Sequence, residues 1–188
     1  MFKHETQVIK FLLQWYSMNA RKLPWRKKNN LNLPHPYFVF VSEYMLQQTT
    51  VNTVKNKFNE FILKWPSLNK LAQTSEPNIL KFWSGLGYYS RARNLLKSAK
   101  IIKNNFKNNI PQTYDELIQL PGIGDYTAKA ILGIGFNQSV IPLDANIERI
   151  LVRLHAIDKP INKVKNKLKD LGKKFISDKY SSNLIQSF

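Results

Sequence analysis

The segment LPGIGDYTAKAIL, residues 120–132, lies between two helical patterns and is the best starting point for the fold. Its loop, PGIG at 121–124, is apolar and contains two glycines and a proline. Glycine allows a positive φ and lets a partner approach the main-chain amides, and a phosphate is one such partner. Asp125 follows the loop and is predicted to cap the second helix by accepting its free N–H groups. We therefore predict a tight helix–loop–helix, in which phosphate binding and a simple connection remain alternatives.

Apolar residues recur at helical spacing along most of the chain. In VNTVKNKFNEFILKW, residues 51–65, they lie on one face of a helix. Further helices are predicted over 88–106, 125–134, 145–155 and 163–175, and N-caps at Ser67, Ser75 and Thr113. Residues 37–41 in PYFVFVSEYMLQQT are typical of a strand, but no partner strand is evident. The predicted fold class is all-α.

The composition narrows the class of protein. With 188 residues and 43% apolar content, the chain can build a substantial core. No apolar run approaches the roughly 20 residues that span a bilayer, and no signal peptide is recognisable, so we expect a soluble, cytoplasmic protein without a membrane partner. The chain has no cysteine. It therefore cannot form a disulfide or a thiolate metal site, and no metal ligands are predicted.

The net charge of +17, from 29 basic and 12 acidic residues, favours a polyanionic partner such as nucleic acid. An alternative explanation is codon bias, because 23 of the basic residues are lysines and the chain is rich in asparagine and isoleucine. The six arginines favour the polyanionic partner over codon bias, because they lie close to the segments discussed below. They are Arg21, Arg26, Arg91, Arg93, Arg149 and Arg153.

Two carboxylates differ from the others because apolar residues surround them: Glu43 in FVFVSEYMLQQ and Asp144 in SVIPLDANI. An apolar environment raises the pKa of a carboxyl group, so that it can donate a proton near neutral pH. A second, ionised carboxylate can stabilise a developing positive charge, and such a pair can cleave a glycosidic bond. In the alternative interpretation, an arginine or tyrosine satisfies a buried Glu43, and Asp144 only caps the helix that follows it.

The segments LPGIGDYTAKAIL and PLDANIERIL resemble the helix-hairpin-helix and downstream aspartate of the DNA glycosylase superfamily that includes endonuclease III. LPWR at 23–26, SEYMLQQTTVNTV at 42–54 and WSGLGYYSRARNL at 83–95 are similar to its adenine DNA glycosylase branch, which removes adenine opposite 8-oxoguanine. The resemblance implies a two-lobed fold with the DNA and the base pocket between the lobes. One lobe of about six helices would cover 22–135, with the hairpin at 120–131, and the other, incomplete, would combine 1–21 and 136–188.

The resemblance also implies roles for individual residues. The catalytic group would comprise Glu43 as the acid that protonates adenine, Asp144 as the stabiliser of the sugar cation, and Tyr126 and Asn146 beside them. The base pocket and the residues inserted into DNA would be Arg26, Leu46, Gln48 and Tyr88. The contacts to DNA phosphates would come from Gly122, Gly124, Thr127, Lys129 and Arg91. For Tyr88, packing in the aromatic core is the alternative.

Position 126 separates two reactions within the superfamily. The endonuclease III branch has a lysine there, whose amine forms a Schiff base with the sugar and permits strand cleavage. Tyr126 cannot form this adduct, and Lys129 is expected to contact phosphate or solvent. The resemblance thus implies a monofunctional glycosylase that acts as a monomer on adenine mispaired with 8-oxoguanine or guanine in bacterial, nucleoid DNA. Two rival functions are a bifunctional pyrimidine-lesion glycosylase and lyase, and a non-catalytic DNA-binding remnant.

The chain departs from the family towards its C-terminal end. Most members continue with cysteines that hold a [4Fe–4S] cluster and then with a domain that helps to recognise 8-oxoguanine, and both are absent from these 188 residues. The chain is thus interpreted as C-terminally truncated, with no cofactor of its own and a cluster only in a longer product. We expect SSNLIQSF to be an interrupted helix that leaves Leu184, Ile185 and Phe188 without partners. Slow adenine removal and poor discrimination of the opposing base are expected consequences.

Overall fold

The structure, a computed structural model, describes residues 3–26 and 32–188. The secondary-structure elements longer than a single residue in these ranges are helices. They are α1 Lys3–Asn19, α2 Pro36–Leu46, α3 Val51–Lys64, α4 Leu68–Ala72, α5 Glu76–Phe82, α6 Ser90–Asn105, α7 Tyr114–Ile118, α8 Asp125–Ala130, α9 Ala145–Leu154, α10 Ile161–Lys173 and α11 Ser181–Ser187. A 3₁₀-helix covers Pro24–Arg26, and a π-helix, Ile131–Gly135, continues α8. The predicted all-α class is confirmed. Within the described part of the chain, no helix has both the length and the apolar character needed to cross a membrane.

The segment with strand-like residues forms α2. Pro36 occupies the first turn, where the missing N–H of proline is harmless, and Nδ1 of His35 accepts a hydrogen bond from the amide of Tyr37 at 3.2 Å. Eight residues of α2 are buried, from Tyr37 to Met45. A helix that is apolar on nearly all sides has no amphipathic period, which explains why the pattern was ambiguous.

Most of the predicted caps are present. Ser67 accepts a hydrogen bond from the amide of Lys70, and Thr113 accepts one from that of Glu116. Ser75 occupies the N-cap position of α5 without a side-chain bond. The prediction for Asp125 is wrong, because Gly124 takes the N-cap position of α8. Asp125 is instead the first residue of α8. Its carboxylate accepts hydrogen bonds from the side chains of Lys129 and Tyr114.

The buried side chains form two apolar cores. The first runs from Trp25 to Leu132, and the second combines Ile9 of α1 with residues between Ile141 and Leu184. The expectation that α11 lacks partners is wrong. Leu184 is 2% exposed in the second core, Ile185 is buried, and the Phe188 ring lies 5.8 Å from that of Phe175.

The glycine loop is tied to α2. Gly122 has φ +82°, and a Cβ there would lie 2.9 Å from the side-chain nitrogen of Asn94 and 3.1 Å from the ring of Tyr44. Tyr44 donates a hydrogen bond to the carbonyl of Pro121 at 2.6 Å, and Gln47 donates one to that of Gly122 at 3.1 Å. The helix that carries Glu43 is therefore held directly against the hairpin.

Candidate active site

A cavity of about 510 Å³ lies where residues of both cores meet. Its volume is in the range of sites for small molecules. Six of the predicted site residues line it: Arg26, Glu43, Leu46, Tyr126, Asp144 and Asn146. They come from four separate parts of the chain, and the fold brings them together.

Glu43 lies on α2 and is 8% exposed. Burial raises the pKa of its carboxyl from the ordinary 4.5 to about 8, and the nearby charge of Asp144 contributes to the rise. Glu43 makes no hydrogen bond or ion pair with the other residues that the structure describes, so no arginine or tyrosine among them stabilises its charge. At neutral pH the cavity therefore contains a protonated carboxyl group that can act as an acid.

Asp144 is the N-cap of α9 and also lines the cavity. Its Oδ1 accepts hydrogen bonds from the amides of Asn146 at 3.0 Å and Ile147 at 2.8 Å. Its Oδ2 accepts one from the side-chain amide of Asn146 at 3.2 Å. These donors and the positive end of the helix dipole stabilise negative charge on the carboxylate. The capping interpretation and the functional one are thus compatible.

Tyr126 and Asn146 complete the polar wall of the cavity. The negative charge of Glu43, followed by burial and by the charge of Asp144, raises the pKa of the Tyr126 phenol far above its ordinary value. The phenol therefore stays neutral over the physiological range. Oδ1 of Asn146 accepts a hydrogen bond from Arg149 at 3.0 Å, which fixes the orientation of the amide.

Arg26 brings positive charge to the rim. Its guanidinium carbon lies 5.5 Å from the centre of the Tyr16 ring, and burial lowers the pKa of the guanidinium.

Other residues that line the cavity were not predicted as site residues from the sequence, among them Trp25, Val39, Ser42, Thr49, Gln186 and Phe188. Ser42 precedes Glu43 and could have been found from that position. Gln186 and Phe188 come from the other end of the chain, where no motif marks them.

Gln48 and Tyr88 lie outside the cavity, on loops. Both have a positive φ, +57° for Gln48 and +45° for Tyr88. Gln48 is exposed, and Tyr88 is 61% exposed, so packing in the aromatic core does not explain Tyr88. Their insertion into DNA stays a prediction.

The prediction that Arg91 contacts a phosphate is wrong. Arg91 is 6% exposed, and its guanidinium donates to five main-chain carbonyls at 2.5 to 3.2 Å. A side chain with its terminal nitrogens engaged in this way is not available to a ligand.

The hairpin residues have different environments. Gly124 is exposed at the start of α8, and the first amides of a helix have no acceptor within it. The Thr127 side chain is buried, which leaves only its amide, in that first turn, for a phosphate. Lys129 forms an ion pair with Asp125 at 2.8 Å. Phosphate binding by Gly122, Gly124, Thr127 and Lys129 stays a prediction.

The donors present do not fit an iron–sulfur cluster. Such clusters need thiolate ligands, and the chain contains no cysteine. In the part of the chain that the structure describes, no group of three His, Asp or Glu residues is placed to hold a metal ion.

Comparison of the sequence with known families gives a match over residues 41–174 to the HhH-GPD superfamily of base excision DNA repair proteins. The chain is 47% identical over 148 residues to the adenine DNA glycosylase of Buchnera aphidicola subsp. Baizongia pistaciae, which covers 78% of this chain and 41% of that protein. It is 42% identical over 164 residues to the adenine DNA glycosylase of Homo sapiens, which covers 84% of this chain and 30% of that protein. The chain thus spans less than half the length of these relatives.

Solved structures share the fold. A thermostable thymine-DNA glycosylase superposes with a TM-score of 0.83 at 22% identity, covering 98% of this chain and 84% of the other. Endonuclease III in a non-covalent DNA complex gives a TM-score of 0.74 at 19% identity, covering 100% of this chain and 84% of the other.

Proposed function

Since the chain belongs to the HhH-GPD superfamily of base excision DNA repair proteins, we propose that it is a monofunctional adenine DNA glycosylase. The proposed substrate is duplex DNA in which adenine is mispaired with 8-oxoguanine or guanine. The principal support is the cavity, because its lining contains both the protonated carboxyl of Glu43 and the helix-capping carboxylate of Asp144. The chain covers 41% and 30% of the two relatives described above, and this function is therefore inferred for the chain as it stands.

In the proposed reaction, Glu43 donates its proton to a ring nitrogen of adenine. Protonation draws electrons out of the bond between the base and C1′ of the sugar, so that adenine leaves as a neutral molecule. A carboxyl with a pKa of about 8 holds this proton at neutral pH and gives it up more readily than a group with a much higher pKa.

Departure of the base leaves positive charge on the sugar. The Asp144 carboxylate stabilises this charge, and its three hydrogen bonds to the start of α9 hold its oxygens in place. Water then bonds to C1′ and loses a proton to the carboxylate that Glu43 has become, which produces an abasic site and leaves both DNA strands intact. Neutral Tyr126 has no amine that could replace water as the nucleophile.

The base must leave the duplex to reach the cavity. Gln48 and Tyr88 are exposed on neighbouring loops and are the side chains proposed to fill the space in the base stack. The amides at the start of α8 would bind a phosphate and set the register of the DNA without reading its sequence. The net charge of +17 favours this polyanionic partner.

The proposal includes a monomeric protein that acts on bacterial nucleoid DNA.

The function is tested by single-turnover excision. Duplexes with adenine opposite 8-oxoguanine or opposite guanine are mixed with excess wild-type protein or with Glu43→Gln. Release of adenine by the wild type, and its loss in Glu43→Gln, is expected. Salt-sensitive DNA binding without any release of adenine would contradict the proposal and favour a non-catalytic DNA-binding protein.

A further inference from the structure

Two loops meet at the edge of the cavity, where Thr49 of one loop donates to the carbonyl of Leu86 in the other at 3.4 Å. The first, residues 47–50, connects α2 to α3 and contains Gln48, and the second, residues 83–89, connects α5 to α6 and contains Tyr88. Gln48 and Tyr88 both have a positive backbone φ. This angle is uncommon for residues other than glycine and costs on the order of 1 kcal/mol or more. Such conformations persist only where the surrounding structure holds them.

One side chain holds both loops. Nη1 of Arg91 donates to the carbonyl of Gln47 at 2.5 Å and to that of Met45 at 2.7 Å. Its Nη2 donates to the carbonyls of Leu86 at 2.8 Å and Gly87 at 3.0 Å. The two nitrogens of one guanidinium are thus bonded to the residues that directly precede Gln48 and Tyr88.

The charge of Arg91 has no acidic partner among the described residues. Its 6% exposure keeps it from water, and carbonyl dipoles surround it instead. The rings of Trp83 and Tyr88 each lie 5.6 Å from the guanidinium carbon, where an aromatic face attracts a cation. Trp83 also donates from its indole nitrogen to the carbonyl of Gly87 at 3.1 Å.

A lysine could not make the same arrangement. The guanidinium is a flat fork that donates in two directions at once, whereas an ammonium group is a compact point charge. At position 91 the ammonium group of a lysine could donate to the carbonyls of one loop, but it would not reach those of both loops at once.

We propose that Arg91 is a positioning residue that locks the 47–50 and 83–89 loops together, so that Gln48 and Tyr88 enter the duplex as one preformed unit. The inference rests on the proposed function, in which these two residues open the base stack. Because the loops are ordered before DNA arrives, no loop entropy is lost when the duplex opens. Arg91 thus acts on opening and excision, and the affinity for duplex DNA depends on other residues.

Arg93 provides the matched control. It lies on α6 two residues further on, it is exposed, and it pairs with Glu76 at 2.9 Å on the surface. Arg91→Lys and Arg93→Lys both keep the charge of the protein. Circular dichroism and thermal unfolding establish that each variant is folded. Arg91→Met with Arg93→Met forms a second pair, in which each variant loses one charge.

Three quantities are measured for each folded variant: duplex affinity by fluorescence anisotropy, opening by the fluorescence of 2-aminopurine next to the mispair, and the single-turnover excision rate. For Arg91→Lys we expect an affinity within about threefold of that of Arg93→Lys, because the number of cations is unchanged. We expect the fluorescence rise to be lost and excision to slow about 100-fold, the effect of a misplacement of about 1 Å.

Opening and excision by Arg91→Lys within about threefold of Arg93→Lys would overturn the positioning role and leave the proposed function intact. Equal losses of affinity and of opening would also overturn it, since they indicate a general structural role. Because 2-aminopurine reports opening without base removal, a wild type that opens the duplex but releases no adenine would contradict the function alone. A wild type that does neither would overturn both.

Discussion

Replacing Glu43 by glutamine is expected to slow excision strongly and to make the protein more stable in alkaline solution. Burial raises the pKa of Glu43 from 4.5 to about 8 in the folded protein. The folded state therefore binds this proton more tightly than the unfolded state. As a result, the wild type loses stability as the pH rises from about 4.5 to about 8, and Glu43→Gln, which has no such proton, does not.

The size of the effect follows from the two pKa values. One unit corresponds to about 1.4 kcal/mol, so the rise from 4.5 to about 8 corresponds to roughly 5 kcal/mol between the protonated and ionised forms. Glutamine has nearly the same shape as the protonated carboxyl. The stability of Glu43→Gln relative to the wild type should thus change by up to about 5 kcal/mol between pH 4 and pH 9, in favour of the variant.

Urea unfolding at pH 4, 5, 7 and 9, followed by tryptophan fluorescence, measures this difference. Other titrating groups are common to both proteins and largely cancel. Glu60→Gln is the matched control, because Glu60 is exposed and pairs with Lys57 at 3.3 Å on the surface of α3. Its stability relative to the wild type should show no comparable slope with pH.

Activity gives the second measurement. Excision by the wild type should fall above about pH 8 as Glu43 ionises. Below that pH, loss of the acid in Glu43→Gln should slow excision by on the order of 10² to 10⁴-fold. A stability difference that stays constant from pH 4 to pH 9 would refute the assignment of a protonated Glu43 in an apolar cavity.

Three further changes test the site and its scaffold. Asp144→Asn should lose excision but retain the cap of α9, whereas Asp144→Ala should also lower the free energy of unfolding by about 1 kcal/mol in urea unfolding; equal stability of the two variants would contradict the cap. Wild-type protein should give no covalent complex with an abasic duplex under borohydride, and Tyr126→Lys should give one; trapping of the wild type would indicate a lyase. Gly122→Ala should destabilise the protein by about 1 to 3 kcal/mol, because of its φ of +82° and the close contact with Asn94, and Gly124→Ala, with open space around the new Cβ, should change the melting temperature far less.

Features that depend on neighbours within about four residues could be derived from the sequence. The amphipathic period of α3 and the caps at Ser67 and Thr113 are of this kind. The apolar surroundings of Glu43 and Asp144 in the sequence also indicated that these two carboxylates differ from the rest. The motifs around them then pointed to one superfamily.

Features that depend on contacts between distant segments could not be derived from the sequence. The residues of α2 are compatible with a strand, and their burial on several sides selects a helix that no local period indicates. The resemblance implied that Arg91 contacts a phosphate, but two loops bring their main-chain carbonyls around its guanidinium. Leu184 and Phe188 find their partners in the second core.

The proposed catalytic arrangement depends both on the local sequence and on the tertiary packing. The types of side chain and the helix starts are encoded locally, because hydrogen bonds to nearby amides and the 3.6-residue period act over short stretches. The meeting of Glu43 and Asp144 in one cavity, and the exclusion of water that raises the pKa of Glu43, arise only when the two cores pack together. Side-chain packing between segments about 100 residues apart has no period along the chain, and for that reason it is visible only in three dimensions.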